Sequence, residues 1–254
     1  MPSSLIIHSV TEFRRHYRKL RAGDLVLGAL PWRAGEEAKL LDLADRGVSF
    51  FPAALAQMLA CSKVAQAEVL GEFMAPGTFV GYGLPDLARQ LAAFHDQGVG
   101  QVVAKKDRAH LGLGVSLWPG LEALCSLGGL QELPYPLVVQ PFLAGRDLRL
   151  VVVGEYAEAY ERLNPGSFRK NLFQGGSSRP VAVYPELLEF GRRVMARGKF
   201  SYAILDLLVA DSGEFFLSEI SLKGGLTGAR LSQAEFRERV KQMEEDCRRQ
   251  WESS

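Results

Sequence analysis

AILDLLVADSGEFFLSEIS, residues 203–221, sets two apolar runs on either side of a turn at Asp211-Ser212-Gly213-Glu214. Each run carries one acid. Asp206 sits among Ile204, Leu205, Leu207 and Leu208, and Glu219 follows Phe215, Phe216 and Leu217. The spacing predicts neighbouring strands of an antiparallel hairpin. A carboxylate inside an apolar strand is costly unless alternation turns it to solvent or a positive group lies against it. Both alternatives stand at this point. In the second, oxygen ligands on adjacent strands suit Mg²⁺, which takes one or two carboxylates and completes its shell with phosphates and water.

Working outward, LVVQPFL (137–143), DLRLVVVG (147–154) and EAYERL (158–163) read as further strands. Asp147 and Arg149 alternate with Leu148 and Leu150, so they share one face of their strand, and a solvated edge is the plain reading of that face. One helix is predicted from Pro185 to Gly198. Another is predicted from Ser232, where Glu235 completes a capping-box pattern and Phe236, Val240, Met243 and Cys247 form one apolar stripe. Between Cys61 and Pro136 lie a helix at SKVAQAEVLGEF, a helix opened by Pro85 and closed by Gly98, and a strand pair at QVVAKK and GVSLW. Before Cys61 the chain reads strand, helix, strand, helix, strand, with Ser9 and Glu12 as a second capping-box pattern. This βαβαβ unit implies a parallel sheet. The expected division is therefore 1–60, a short N-terminal α/β domain; 61–136, a small α+β lid domain; and 137–254, a larger α+β domain with the acidic hairpin.

Composition narrows the function classes. The chain has 254 residues and a formal net charge of +1, so no global field draws it to nucleic acid or an anionic membrane, and any anion site must be local. Three cysteines without paired spacing give no zinc pattern and suit reduced thiols in a cytoplasmic protein. The longest uncharged run contains Pro52 and Gln57 and is too short to span a bilayer. A soluble protein is expected, with neither membrane nor nucleic-acid partners; a homo-oligomer is left open.

Two polar stretches suit phosphate. In VVAKKDRAHLGLGVSL, Lys105 ends an apolar strand and a loop bearing Gly112 and Gly114 leads into the next. A lysine beside a glycine loop can neutralise phosphates, although glycine hairpins are common. In SFRKNLFQGGSSRPV (167–181), two arginines, a lysine, an asparagine and a glycine pair make one polar loop, an assortment that fits an anionic ligand. RGKFS is not a Walker A motif, and GLGVSL lacks the third glycine of a dinucleotide fingerprint.

The order of the pieces adds more than any one of them. Lys63, Lys105 with its glycine loop, VVQPFL, DLRLVVVG, ERL, FRKNLFQGG, LDLL and EIS followed by Gly224-Gly225 succeed one another as in the ATP-grasp superfamily. The set most closely resembles the RimK-like branch of carboxylate-amine ligases, over about Cys61 to Ala229, with glutathione synthetase as a more distant likeness. The resemblance implies an ATP-grasp fold of the α/β class, ATP and Mg²⁺ (or Mn²⁺) as cofactors, and small-molecule or peptide carboxylate and amine substrates. It implies that Lys63 and Lys105 hold phosphates under the loop containing Gly112 and Gly114. The hinge Gln140, Phe142 and Leu143 would meet adenine, and Asp147 would be an acidic residue of the ATP site. Arg162 and Arg169 would act as catalytic cations, with Arg169, Lys170 and Asn171 also contacting nucleotide. Asp206, Glu219 and Ser221 would hold the metal. The sequence departs from the family pattern where Ser221 replaces the asparagine of Glu-x-Asn and Pro141 replaces a glutamate of the hinge; the unit before Cys61 is also shorter. The implied activity is ATP-dependent amide or peptide bond formation through an acylphosphate. The alternative is an ATP-binding module with weakened catalysis that uses nucleotide to order a partner-binding surface.

Overall fold

The structure is a computed structural model that describes residues 4–109, 113–131, 133–164 and 176–253. The N-terminal unit forms as its pattern predicts. Strands β1 (Ile6–Ile7), β2 (Leu25–Leu27) and β3 (Ser49–Phe51) pair in parallel, linked by helices α1 (Val10–His16) and α2 (Glu37–Asp45). At the start of α1, the Ser9 hydroxyl accepts from Glu12 N, but the Glu12 carboxylate accepts from His8 N at 3.0 Å. Phe13, Leu20, Val26, Leu40 and Leu43 fill the core of this unit.

Helices α3 (Ala54–Leu59) and α4 (Lys63–Leu70) follow; α4 gives way to a 3₁₀ turn at Gly71–Phe73 instead of continuing as α-helix. A four-stranded antiparallel sheet then runs in the order β4-β7-β5-β6, from β4 (Phe79–Gly81), β5 (Val102–Lys106), β6 (Val115–Trp118) and β7 (Leu137–Pro141). Strand β7, expected with the strands after it, belongs to this sheet because its backbone groups pair with β5 and β4. Alternation divides the sheet. Val102, Ala104 and Val139 face the core under helices α5 (Leu84–Asp96) and α6 (Leu121–Leu130), whereas Val103, Lys105, Val138 and Gln140 share the other face.

The second sheet is five-stranded and antiparallel, in the order β10-β9-β8-β11-β12. It comprises β8 (Gly145–Val153), β9 (Tyr156–Leu163), β10 (Ser177–Val181), β11 (Tyr202–Ala210) and β12 (Phe215–Ser221). The β11–β12 hairpin is the one predicted. Strand β10 corrects the reading of residues 167–181 as a polar loop throughout: Ser177–Val181 pair with Ala159–Leu163 as an edge strand. On one face Leu148, Leu150, Ala203, Leu205 and Leu207 are buried with Leu187 and Val194 of α7 (Pro185–Gly198). A Cβ on Gly191 of α7 would lie 2.5 Å from Leu150 Cδ2, so that crossing admits no larger side chain. At one end of the other face, Tyr202 meets Phe236 of α8 (Gln233–Glu252), which opens on the complete Ser232–Glu235 capping box. No helix among the described residues is long and apolar enough to cross a membrane.

A candidate nucleotide and metal site between two sheets

Cross-strand register gathers the charged residues. Asp206 lies opposite Glu219 on one side and Arg149 on the other, Arg149 lies opposite Tyr160, and Asp147 lies opposite Arg162. Residues directly opposite in an antiparallel pair project from the same face, so Asp147, Arg149, Arg162, Asp206 and Glu219 share one. Ser221, two residues beyond Glu219, joins them. A bulge between Asp206 and Leu207 shifts the register there, so that the pairing beyond Glu219 resumes at Leu217.

The ion pairs are dense. Arg149 clamps Asp206 with two bonds, Nε to Oδ1 at 2.7 Å and Nη2 to Oδ2 at 2.9 Å, and donates Nη1 to the Gly225 carbonyl at 2.8 Å. Arg162 reaches Asp206 Oδ2 at 3.1 Å and donates Nε to Asp147 Oδ1 at 2.6 Å. Burial alone would raise the Asp206 pKa; Arg149 and then Arg162 outweigh it and hold this carboxyl well below the usual range. For Asp147 burial wins over Arg162, and its pKa is raised.

Two lysines close the site from the other side. Lys105, at the end of β5, is buried and donates to the Ser218 carbonyl at 3.1 Å and its hydroxyl at 3.2 Å. Burial is the main cause that pushes its pKa down to about 8, with Glu219 opposing and Lys63 adding to the fall. Lys106 next to it is exposed, as alternation requires. Lys63, in the first turn of α4, donates to Glu219 Oε1 at 3.0 Å and to the Ala109 carbonyl at 2.7 Å. Its position is fixed by two anchors. The Asp107 carboxylate accepts from Ser62 Oγ and Val64 N at the head of α4, and one turn on, the Gln66 amide bonds both the N–H and the C=O of Ile220 on edge strand β12.

The remaining expected residues are more scattered. Gly114 accepts Lys106 N–H at 2.7 Å, and a Cβ there would fall 2.3 Å from that of Ala109, so only glycine fits. Gln140 shares the Lys105 face of its sheet, while Phe142, which donates its N–H to Gln101 O, and Leu143 lie just past the end of β7. Pro141 is buried opposite Val102 within β7. Gly112, Arg169, Lys170 and Asn171 lie outside the described residues. Arg149 is the residue that sequence reasoning passed over. Its alternation with Asp147 put it on the right face, but a strand pattern does not say which face is covered.

Four cations, Lys63, Lys105, Arg149 and Arg162, thus face three carboxylates, Asp147, Asp206 and Glu219. The surplus is positive and partly desolvated, which suits a polyanion. Among the described residues no three His, Cys, Asp or Glu side chains alone form a metal cluster. Asp206, Glu219 and Ser221 nevertheless offer oxygen from one face, and the Glu219 side chain is 36% exposed. That donor set fits Mg²⁺ if phosphates supply the other ligands and the arginines release Asp206 to them.

Residues 88–239 match the model of the RimK-like ATP-grasp domain, a span containing Lys105, Asp147, Arg149, Arg162, Asp206, Glu219 and Ser221. The chain belongs to the RimK-like ATP-grasp family. Among curated proteins it is 28% identical over 151 residues to a probable alpha-L-glutamate ligase 2 of Hahella chejuensis, covering 58% of this chain and 44% of that one. It is 31% identical over 137 residues to the like-named protein of Shewanella frigidimarina, covering 52% and 46%. The chain spans about half the length of these curated relatives. Solved structures with a similar fold include VanG D-Ala:D-Ser ligase from Enterococcus faecalis, with a TM-score of 0.59 at 16% identity over 87% of this chain and 73% of that one. D-alanyl-alanine synthetase A from Vibrio cholerae gives 0.57 at 14% identity, over 87% and 77%. The ATP-grasp ligase PsnB, solved with Mg, ADP and a phosphomimetic variant of its minimal precursor, gives 0.54 at 16%, over 81% and 66%.

Proposed function

We propose that this RimK-like ATP-grasp chain is an ATP-dependent ligase that joins a carboxylate to an amine through an acylphosphate. The observation that carries this reading is the positive surplus of Lys63, Lys105, Arg149 and Arg162 around an acidic strand pair in the seam between the two sheets. The nucleotide would lie in that seam, with its phosphates against the lysines and its base toward Gln140, Phe142 and Leu143. Asp206 and Glu219, with Ser221, would hold Mg²⁺, which when bound neutralises charge on the terminal phosphates.

The chain's own residues supply positioning and fixed charge. Lys105 and Lys63 arrive desolvated and held by Ser218, Glu219 and Ala109, so little reorganisation is needed when they exchange those partners for phosphate oxygens. Arg162 and Arg149, released from Asp206, would face the transferring phosphoryl group and the acid. A substrate carboxylate oxygen attacks the γ-phosphorus and ADP leaves. The amine then attacks the acyl carbon, phosphate leaves, and the amine proton passes to solvent. No protein nucleophile takes part; the rate comes from alignment and electrostatic stabilisation. The expected parts, 1–60, 61–136 and 137–254, with β7 transferred to the second because it pairs with β5 and β4, would then act as a substrate-side unit, a lid and a metal-bearing base.

Two observations favour the second reading, a nucleotide-binding module with weakened turnover: both Asp206 oxygens are already taken by arginines, and Ser221 stands where the family pattern has an asparagine. ADP release over a panel of amino acids and peptides with Mg²⁺ separates the two. Release that depends on both an acid and an amine supports the ligase. Saturable ATP binding without release under any pair supports the module.

A further inference from the structure

Lys223-Gly224-Gly225 leaves β12 just past Ser221 and folds back over the charged face. A Cβ on Gly224 would lie 3.2 Å from Ile204 Cδ1 and 3.6 Å from Ser221 Oγ, so the segment rests directly on the strand pair that carries the acids. Its two ends are tied to different parts of the molecule. The Gly225 carbonyl accepts from Arg149 Nη1 at 2.8 Å, and the same guanidinium clamps Asp206. Lys223 Nζ donates to the Ala29 carbonyl at 2.6 Å, 194 positions away in the N-terminal unit.

The turn that receives Lys223 is held on every side. Gly28 N–H donates to Phe51 O at 2.6 Å, and its φ of +101° is one that favours glycine. Leu30 N–H and Trp32 Nε1 both donate to Gln57 Oε1, at 3.2 and 2.9 Å, and the buried Gln57 amide donates in turn to Pro52 O at 2.8 Å. Helix α8 closes the remaining side, where a Cβ on Gly28 would lie 3.4 Å from Glu244 Oε1. Glu244 is half-buried and makes no hydrogen bond or ion pair among the described residues. Burial pushes its pKa up and Lys223 opposes the rise, so the carboxylate lies within electrostatic reach of the ammonium that sits on Ala29.

We propose that Lys223 is a positioning residue through which the N-terminal unit sets the charged cluster: its bond to Ala29 fixes the Gly225 carbonyl as the partner that Arg149 keeps when it releases Asp206. The proposal rests on the nucleotide and metal part of the ligase reading and not on the transfer step. The Arg149 side chain is 17% exposed, so giving up Asp206 costs it two charged hydrogen bonds that little water is at hand to replace. A Gly225 carbonyl held in place lowers that cost, whereas one that can drift leaves Arg149 on Asp206. Lys223 thereby favours a metal at Asp206 even though its own charge repels a cation. The coupling is reciprocal: a metal and nucleotide that draw Asp206 from Arg149 tighten the bond to Gly225 and, through Lys223, the turn at Ala29.

The test follows ADP binding to the whole chain by calorimetry as Mg²⁺ is raised. Lys223→Met should increase the Mg²⁺ concentration that gives half of the full ADP affinity by about fivefold, and Lys223→Arg, which can still donate to Ala29, should stay within about twofold of wild type. Removing a positive charge that acted on the metal directly would lower that concentration, so the sign separates positioning from simple repulsion. Hydrogen exchange gives a second readout: ADP with Mg²⁺ should slow exchange in peptides spanning 25–32 at least about twofold in wild type and leave it unchanged in Lys223→Met. Lys223 is exposed, and far-ultraviolet dichroism checks that both variants keep the fold. A Mg²⁺ requirement that falls or stays the same in Lys223→Met overturns the proposal. So does Lys223→Arg behaving like Lys223→Met, a turn whose exchange ignores ADP and Mg²⁺, or a wild type that binds ADP no better with Mg²⁺ than without it. ADP release is read separately. The expected shifts without ADP release under any acid and amine leave Lys223 in its role and remove the ligase reading. Release that needs both an acid and an amine, with a Mg²⁺ requirement indifferent to Lys223, does the reverse.

Discussion

Two arginine–carboxylate clusters occupy opposite faces of the same five-stranded sheet, built from adjacent residues of the same strands. On one face Asp206 and Asp147 hold Arg149 and Arg162, and all four side chains are between 8% and 22% exposed. On the other, Glu161 accepts from Arg146 and Arg179, with Glu161 at 5% exposure but the arginines at 47% and 62%. In the second cluster only the acid has left water, and the guanidiniums keep most of their hydration. In the first, cations and anions are both desolvated, and two lysines bring the balance to positive. Location alone does not distinguish them, since Arg146 and Asp147 are neighbours in sequence, as are Glu161 and Arg162. What differs is which charges are dry. A dry, preorganised cation is primed for an anionic ligand, whereas a hydrated one mainly neutralises its partner.

The largest expected effect tests this difference in stability. Asp206→Ala strands two buried guanidiniums and should cost on the order of 3–5 kcal/mol in denaturant unfolding. Glu161→Ala leaves arginines that can turn to water and should cost about 1–2 kcal/mol. Equal costs would mean that the two clusters are energetically alike and that burial of the cations has no consequence.

Next comes the pair at the end of β5. Lys105→Ala should weaken ATP binding roughly 10- to 100-fold, as for loss of a charge-assisted bond, and Lys106→Ala less than about twofold. ATP affinity in the wild type should also fall as pH rises through about 8, where Lys105 loses its proton. Folding responds with the opposite sign. An unfolded lysine keeps its proton to about 10.4, so between about 8 and that value the unfolded chain binds the extra proton and stability contributed by this group rises with pH. Affinity that is flat from pH 7 to 9.5, or unchanged in the Lys105→Ala protein, would place the phosphates elsewhere.

Much of this arrangement is legible in the sequence, for reasons that particular residues make plain. The β11–β12 hairpin could be read because two apolar runs flank an Asp-Ser-Gly-Glu turn, and α8 because Ser232 and Glu235 make both halves of a capping box. Strand β10 could not, since Ser177, Arg179 and Pro180 are exposed and the strand exists only by pairing with β9. The brief α3 and β4, and α6 with its internal glycine pair, likewise lacked a local signal. The candidate site residues could be picked out as a series of motifs, yet the partners of those described could not. Lys63 meets Glu219 across 156 positions, Lys105 meets Ser218 across 113, and Gln66 pins Ile220 across 154. No local pattern carries such contacts. Arg149 shows the limit of alternation: it tells which residues share a face, and only tertiary packing tells which face is dry.

Two smaller effects sharpen the contrast. Ser221→Asn places a carbonyl oxygen farther from the backbone on the face shared by Glu219 and Asp206. It should lower the Mg²⁺ concentration needed for half-maximal ADP release by about fivefold, and no change would set Ser221 outside the metal's reach. Arg179→Ala, on the opposite face and 62% exposed, should change unfolding free energy by less than about 1 kcal/mol and leave ADP release as it is. A larger loss would show that the hydrated cluster has a part in the reaction.

The central claim is that the dry cluster lets a carboxylate attack ATP, and an acylphosphate can be trapped without knowing the natural amine. The whole chain is incubated with ATP, Mg²⁺, hydroxylamine and, one at a time, a set of amino acids and peptides, and hydroxamate and ADP are measured together. A ligase of this kind forms hydroxamate from at least one acid, matched one for one by ADP and abolished by Arg162→Gln. ADP released without hydroxamate, hydroxamate that persists in Arg162→Gln, or ATP bound and never cleaved with any acid would contradict it.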